Sequence, residues 1–377
     1  MDVPVNPIST VDPDGLLEFS VVFTDRSLNH MSAAFQVVMR DISATLKKVY
    51  GAHAVAVVPG GGTYGMESVA RQLATGKRVT VIRNGFFSYR WTQIFEMGGI
   101  PAAATVLQAR RTSDAANAPW VPTPIEEVEA HIRSDKPDLV FAPHVETASG
   151  ILLPDDYLRR VTAAVHAVGG LFVLDCIASG TLWVNMQALG VDVLITAPQK
   201  GWSGTPGAAL VMLSESARAR VAATKSTSFA MDLGKWLQIM ETYESGSHAY
   251  HATMPTDSLR RLRDLMIETE TFGFEKLRER QLELGRRVRK LLAERGFKSV
   301  AGPGFEAPCV VVSYTQHADI VPRFAKAGAQ VAAGVPLMCG EPADYRAFRI
   351  GLFGLDKLSD VDGTVARLEK ALAQATA

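Results

Sequence analysis

The sequence predicts an α/β protein: a large, mostly parallel sheet domain covered by helices, followed by a smaller C-terminal α+β domain. Three observations carry this expectation. Short apolar runs alternate with amphipathic helical stretches from Met31 to Leu213, the pattern of strands buried on both faces. After about Tyr250 the texture changes to long charged helices and fewer strands. A chain of 377 residues, 47% hydrophobic and 21% charged, also suits about two globular domains. The expected division is 20–255 for the large domain and 256–377 for the small one, with 1–19 packing on the latter.

The elements follow in order. From Met31 to Tyr50, Phe35, Val38, Met39, Ile42, Leu46 and Val49 recur at helical spacing. The apolar run Ala54 to Val58 stops at Pro59-Gly60-Gly61-Gly62 and reads as a buried strand entering a glycine loop, with a helix from Tyr64 to Leu73. Val79 to Ile82 is a strand, Phe87 to Met97 a helix and Ala102 to Leu107 a strand. Thr123-Pro124-Ile125-Glu126 predicts a helix opened by a capping box with proline at its first position. Asp138 to Pro143 is a strand, Asp155 to Val168 a helix and Leu171 to Asp175 a strand, and Val191 to Ala197 and Ala208 to Leu213 are two more. In the C-terminal part, helices span Thr256 to Thr271 and Phe274 to Arg295, the second so rich in Arg and Glu that it predicts a solvated face with spaced ion pairs. Strands Cys309 to Tyr314 and Ala347 to Leu352 and helices Asp319 to Ala327 and Ser359 to Ala373 complete the chain.

Composition excludes several function classes. The 39 basic and 39 acidic residues give a formal net charge of zero, so no nucleic-acid partner is expected. No apolar run approaches the roughly 20 residues a bilayer requires, so no membrane partner is expected either. The first fifteen residues carry prolines and aspartates where a signal peptide needs a basic start and an apolar core. The final residues match no simple retention or peroxisomal tripeptide. Cys176, Cys309 and Cys339 are too few and too scattered for a disulfide framework or a zinc site. A cytoplasmic enzyme without a metal is the expectation.

Open α/β sheets bind ligands at the carboxyl ends of their strands, and several such positions here carry chemistry. Pro59-Gly60-Gly61-Gly62-Thr63 lies between a strand and a helix, where backbone N–H groups and the helix dipole favour a phosphate. A plain tight turn has the same composition, and the run lacks the spacing of a dinucleotide fingerprint or a P-loop. Asp175 ends an apolar strand, a position suited to a metal ligand, a base, the partner of a protonated ring nitrogen, or a simple helix cap. Lys200 sits in the loop Pro198-Gln199-Lys200-Gly201-Trp202-Ser203-Gly204, either exposed or, in a closed cleft, deprotonated and nucleophilic. Arg349 is either a strand residue paired with a surface acid or an anion-gripping fork. A phosphate loop, then a strand-end Asp, then a strand-end Lys is the ordered set that a pyridoxal-phosphate enzyme needs.

With these residues in place, the chain resembles the class V, fold-type I pyridoxal-phosphate aminotransferases, and within them the alanine–glyoxylate/serine–pyruvate branch. The resemblance runs from about Leu28 to Leu372. It rests on Asn29-His30-Met31-Ser32, Gly60-Gly61-Gly62-Thr63-Tyr64-Gly65-Met66-Glu67, Asn84-Gly85-Phe86-Phe87-Ser88-Tyr89-Arg90 and His144-Val145-Glu146-Thr147-Ala148-Ser149-Gly150. It continues through Asp175-Cys176-Ile177-Ala178-Ser179, Pro198-Gln199-Lys200, Tyr250-His251-Ala252-Thr253-Met254-Pro255 and Arg349-Ile350-Gly351-Leu352.

The resemblance implies a role for each matched position. Lys200 would form the Schiff base with pyridoxal 5'-phosphate and shuttle the proton. Asp175 would hold the pyridine nitrogen protonated. Phe87 would stack on the cofactor ring, Thr147 and Gln199 would contact the edge carrying the phenolic oxygen, and Gly61, Gly62 and Thr63 would surround the phosphate. Tyr250 and Thr253 match residues that reach the phosphate of a neighbouring subunit, implying a homodimer with shared sites. Arg349 would grip the substrate carboxylate. The implied reaction moves an amino group from a small amino acid of the alanine or serine type to a small 2-oxo acid of the glyoxylate or pyruvate type. The alternative on the same site is 2-aminoethylphosphonate–pyruvate transamination. A lyase or cysteine desulfurase would need Cys339 as a mobile nucleophile, and a non-catalytic relative of the fold is the remaining alternative. His144 and His30 read as structural hydrogen-bonding residues. The family's N-terminal Gly-Pro-Gly-Pro type segment is replaced by Asn6-Pro7-Ile8 and Val22-Phe23-Thr24-Asp25-Arg26.

Overall fold

The structure, a computed structural model, describes residues 10–377, so Asn6-Pro7-Ile8 and residues 1–9 of the expected 1–19 packing lie outside the described residues. The first helix, α1 (Ala33–Tyr50), starts where the Ser32 side chain accepts from Phe35 N–H and ends at Gly51, whose left-handed φ of 65° favours glycine. Its face carrying Phe35, Val38, Met39, Ile42 and Leu46 is buried, as the helical spacing predicts. Strand β1 (Ala54–Gly60) leads into α2 (Gly62–Val69), which widens into a π-helical turn over Ala70–Ala74. Next come β2 (Arg78–Arg83), α3 (Phe86–Gly98) and β3 (Ala103–Gln108), then the small ladder β4 (Arg110–Arg111) with β5 (Trp120–Val121).

Helix α4 (Ile125–Asp135) departs from the expected capping box. Pro124 occupies the cap position with no side-chain cap bond, so Thr123 stands one residue before the cap, and its hydroxyl donates to Gln108 O at the end of β3 at 2.9 Å. Beyond it lie β6 (Leu139–Pro143), α5 (Asp155–Ala167), β7 (Leu171–Asp175), α6 (Met186–Leu189), β8 (Val193–Thr196) and β9 (Gly207–Leu213). Two helices then appear that the periodicity did not announce, α7 (Glu215–Ala222) and α8 (Leu233–Glu244). Of these, α7 buries only Ala217 and Val221, too few apolar positions to make a stripe.

The seven-stranded sheet runs in the order β1-β9-β8-β7-β6-β2-β3. Only β9 is antiparallel to its neighbours β1 and β8; the remaining pairs are parallel. Every residue of β6, β7 and β8 is buried, which is why these strands read as unbroken apolar runs.

The C-terminal part contains α9 (Thr256–Phe272), α10 (Phe274–Glu294), β10 (Val310–Tyr314), α11 (Ile320–Lys326), β11 (Ala332–Ala333), β12 (Ala347–Gly351), α12 (Leu355–Ser359) and α13 (Val361–Ala375). Helix α9 buries Leu259, Leu262 and Met266 in the large-sheet core. Val11 packs against the same core, and its carbonyl accepts from Arg260. Helix α10 carries its charge run outward in spaced pairs such as Glu283–Arg287 and Lys290–Glu294. The small sheet, ordered β10-β12-β11 and antiparallel, is backed by the buried faces of α10, α11 and α13. A third apolar cluster joins the two sheets: Val145, Ala148, Ile151 and Ala178 meet Cys309, Val310, Val312 and Leu337, with Phe86, Phe87, Tyr345 and Phe353 packed at its margin. The cleft described next opens beside this cluster.

Candidate active site

The carboxyl ends of the parallel strands supply the acidic and basic groups of the cleft. Asp175 closes β7. Its Oδ1 accepts from Ile177 N–H at 2.9 Å, and Oδ2 has no hydrogen-bond partner among the described residues. Burial pushes its carboxyl up to about 7 and the charge of Glu146 adds to the rise, while the Ile177 N–H and the cations Arg90 and Lys200 act in the opposite direction. Ile177 also fixes the glycine loop, because a Cβ on Gly62 would stand 2.4 Å from Ile177 Cδ1. The loop therefore approaches the Asp175 turn as closely as only glycine allows.

Helix α2 begins at Gly62, two residues before the expected Tyr64, with Gly61 as an extended N-cap residue that offers no side chain. The first-turn N–H groups of Gly62 and Thr63 thus remain available for an anion at the positive end of the helix. Thr63 Oγ1 accepts from Arg90 Nη1 at 2.8 Å.

Lys200 lies in the turn after β8. Gly201 permits this placement, since a Cβ there would lie 2.1 Å from the carbonyl oxygen of Gly180. The turn is closed by bonds from Ser203 N–H to Lys200 O and from Gly204 N–H to Pro198 O, and the Ser203 hydroxyl accepts from Leu355 N–H at the start of α12. Lys200 Nζ stands 5.0 Å from the centroid of the Phe353 ring. Burial lowers the pKa of its amine, as does the nearby charge of Arg349, while Asp175 acts in the opposite direction. Such an amine is more readily deprotonated than a surface lysine.

Arg349, in the middle of β12, is paired with Val312 of β10 and Ala332 of β11. Its Nε donates to Ala333 O at 2.8 Å, and no acceptor among the described residues engages Nη1 or Nη2. The guanidinium is thus anchored at one edge and free at the fork, 5.7 Å from the centroid of the Phe87 ring. Burial lowers its pKa, offset by Glu146 and Tyr345. Arg90 also lies against Phe87, at 5.2 Å.

Two residues of this cleft were not singled out by the sequence reading. Glu146 is fully buried: its Oε1 accepts from Phe87 N–H (3.1 Å) and Ala148 N–H (3.0 Å), and its Oε2 from Ser88 N–H (2.9 Å) and the Ser88 hydroxyl (2.6 Å). A carboxylate at the N-terminus of α3 satisfies orphan donors and the helix dipole together, and it fixes the backbone that carries Phe87. Gly85 admits it, since a Cβ there would meet Glu146 Cγ at 2.7 Å. Arg90 is the other. Both stand inside matched strings, but neither residue type distinguishes a site from a surface in the sequence alone.

The structure brings together Gly62, Thr63, Phe87, Asp175, Lys200 and Arg349. Gly61 lines the loop, and Thr147 is half-buried beside Glu146 with no side-chain partner among the described residues. Gln199 is exposed and forms no side-chain hydrogen bond there. Tyr250 and Thr253 lie elsewhere: their hydroxyls are 3.3 Å apart, and Tyr250 is 55% exposed beside His30, 5.4 Å between ring centroids. His144 is buried with Nδ1 2.7 Å from Ser179 Oγ, and burial alone drives its pKa down to about 3, so it stays neutral. Cys339, the residue a desulfurase would need, is buried, with its thiol held against Leu337 O and Arg83 O and raised to about 12 by burial first, then by Glu146. That is an inert thiol.

The geometry suits a phosphate-bearing pyridine ring. An uncapped helix start suits a phosphate, a buried carboxylate with one free oxygen suits the ring nitrogen, and a largely buried amine free of ion pairs suits the aldehyde carbon. Residues 18–349 match the family described as Aminotransferase class-V. The chain is 26% identical over 369 residues to alanine–glyoxylate aminotransferase of Rattus norvegicus, covering 92% of this chain and 82% of that one. It is 28% identical over 331 residues to 2-aminoethylphosphonate–pyruvate transaminase of Pseudomonas aeruginosa, covering 85% and 83%. The fold matches that of a crystal structure of alanine–glyoxylate aminotransferase from Nostoc sp., with a TM-score of 0.79 at 20% identity over 93% of this chain and 89% of that one. A free carboxylate oxygen, a buried amine and an uncapped helix start meeting in one cleft are thus accompanied by a family match over most of the chain, and this protein belongs to the class V aminotransferases, enzymes that depend on pyridoxal phosphate.

Proposed function

We propose that the enzyme transfers an amino group from a small amino acid, of the alanine or serine type, to a small 2-oxo acid, of the glyoxylate or pyruvate type. The observation that carries this reading is the half-anchored Arg349, whose free Nη1 and Nη2 share one cleft with Lys200. A planar fork of this kind binds a carboxylate through two parallel bonds. When bound, pyridoxal phosphate supplies an electron sink for the carbanion at the donor's Cα. Asp175 Oδ2 would accept from the protonated ring nitrogen. Lys200 Nζ would anchor the cofactor and, once displaced by the donor's amine, would take up the proton that leaves Cα. Phe87 would form the wall of the ring site, Gly61, Gly62 and Thr63 would bind the phosphate, and Thr147 and Gln199 would contact the edge carrying the phenolic oxygen.

Tyr250 and Thr253 act in the site of a second copy, making a homodimer with shared sites. This is supported by the exposure of Tyr250, Phe229 and Tyr64 on the protein surface, and a mass in solution equal to one chain would refute it. Three unpaired cysteines suit a reducing, cytoplasmic compartment.

The test is a panel of donors (alanine, serine, aspartate, 2-aminoethylphosphonate) against glyoxylate and pyruvate. Alanine or serine should give the highest kcat/KM. Preference for the phosphonate donor would establish the second reading, which the 28% relative favours. The Lys200→Ala form should lose both turnover and the visible absorbance of bound cofactor; unchanged absorbance and activity would remove Lys200 from its role.

A further inference from the structure

Most arginines near acids in this protein pair with them, as Arg160 does with Glu129 and Arg218 with Glu241. Arg90 does not: no ion pair engages it among the described residues. It instead joins two parts of the cleft that come from separate segments of the chain. Its Nη1 donates to Thr63 Oγ1 at 2.8 Å, and its guanidinium carbon lies 5.2 Å from the centroid of the Phe87 ring. Because the Thr63 hydroxyl accepts from Arg90, its own proton is left to donate elsewhere. The Phe87 ring is similarly constrained. Glu146 holds its backbone through the Phe87 N–H, but the ring itself can still turn about its side-chain torsions. A cation against the ring restricts that freedom.

We propose that Arg90 is a positioning residue of the cofactor site, tying the Thr63 hydroxyl of the phosphate loop to the Phe87 ring wall so that both anchors hold one geometry. The inference rests on the pyridoxal-phosphate reading of the cleft and adds a residue that touches neither the reacting atoms nor the substrate. A lysine cannot substitute fully, since an ammonium lacks the planar face and the second donor direction that serve the ring and the hydroxyl together.

The test titrates pyridoxal phosphate into the apo forms of the full-length protein carrying Arg90→Gln, Arg90→Lys, Thr63→Val and the double change Arg90→Gln/Thr63→Val. Visible absorbance gives the affinity, and visible circular dichroism reports the seating of the ring. Arg90→Gln should weaken cofactor binding about tenfold or more, the scale of one charge-assisted hydrogen bond, and should alter the dichroic band. Arg90→Lys should recover only part of the affinity. The double variant should lose less affinity than the two single losses combined, since the two residues share one bond. Unchanged affinity and dichroism in both Arg90 variants, or losses that simply add in the double variant, would overturn the proposal. So would a lowered melting temperature of the apo forms with unchanged cofactor affinity. If Arg90→Gln fails to fold, the Arg90→Lys titration decides alone. Absence of cofactor binding by the unaltered protein would instead strike the functional reading itself.

Discussion

Replacing Asp175 by Asn tests the electrostatics of the cleft most directly. In the cofactor-free protein the carboxyl is buried against a single N–H donor, and its pKa rises from an ordinary 3.8 to about 7. Between these values the folded protein holds a proton that the unfolded chain has released, so folded-state stability falls as pH rises through the window. At about 1.4 kcal/mol per pH unit, the displacement corresponds to about 4 kcal/mol, present below pH 3.8 and lost by the time the pH passes 7. The assay is chemical denaturation of the apo protein at pH values from 4 to 8, with and without the substitution. The difference between the two proteins isolates Asp175 from every other titrating group. The Asn variant should gain relative stability with rising pH, approaching a few kcal/mol at pH 8 in the apo form. In the loaded enzyme the sign should reverse, because the carboxylate there has a cationic ring nitrogen to pair with and the amide does not. Equal pH dependence of the two apo proteins would refute the burial argument. Unchanged cofactor affinity in the variant would refute the pairing.

Arg349→Lys keeps the charge but loses the fork and the bond to Ala333 O; kcat/KM for the amino donor should fall about 10- to 100-fold while cofactor absorbance is retained, a split that steady-state kinetics with a spectrum will show. Glu146→Gln presents an amide to buried N–H groups at the start of α3, which should cost about 1–3 kcal/mol of stability, read as a lower denaturation midpoint together with an altered cofactor spectrum. Gly201→Ala sets a Cβ against the backbone oxygen of Gly180, and the strain should cost about 1–3 kcal/mol or more; the purified variant should melt lower and retain less cofactor.

Why some elements were legible and others were not follows from where their information resides. Strands β6, β7 and β8 are buried on both faces, so their apolar runs stand out locally. Helix α1 shows its buried stripe in the spacing from Phe35 to Leu46. Helix α7 lacks such a stripe, and helix α4 starts at Ile125, which leaves Pro124 and not Thr123 at the cap position. At the site, Lys200, Asp175, Gly62 and Arg349 were legible through the matched strings and their order, since each alone also fits a turn, a helix cap or a surface position. Glu146 and Arg90 were not, because a glutamate after a strand and an arginine on a helix are ordinary until their partners are known.

The sequence by itself determined the alternation of strands and helices, the glycine loop, and the order of Asp, Lys and Arg, since each depends on neighbouring residues or on a local pattern. Tertiary structure alone decided which oxygen of Asp175 stays free, that Arg349 is anchored at Nε and open at its fork, and that Cys339 is an inert, buried thiol. It also decided that Phe87 stands between Glu146 and Arg90. These properties depend on burial and on contacts between residues far apart in the chain, and burial shifts charge states and selects hydrogen-bond partners only once the chain has closed on itself.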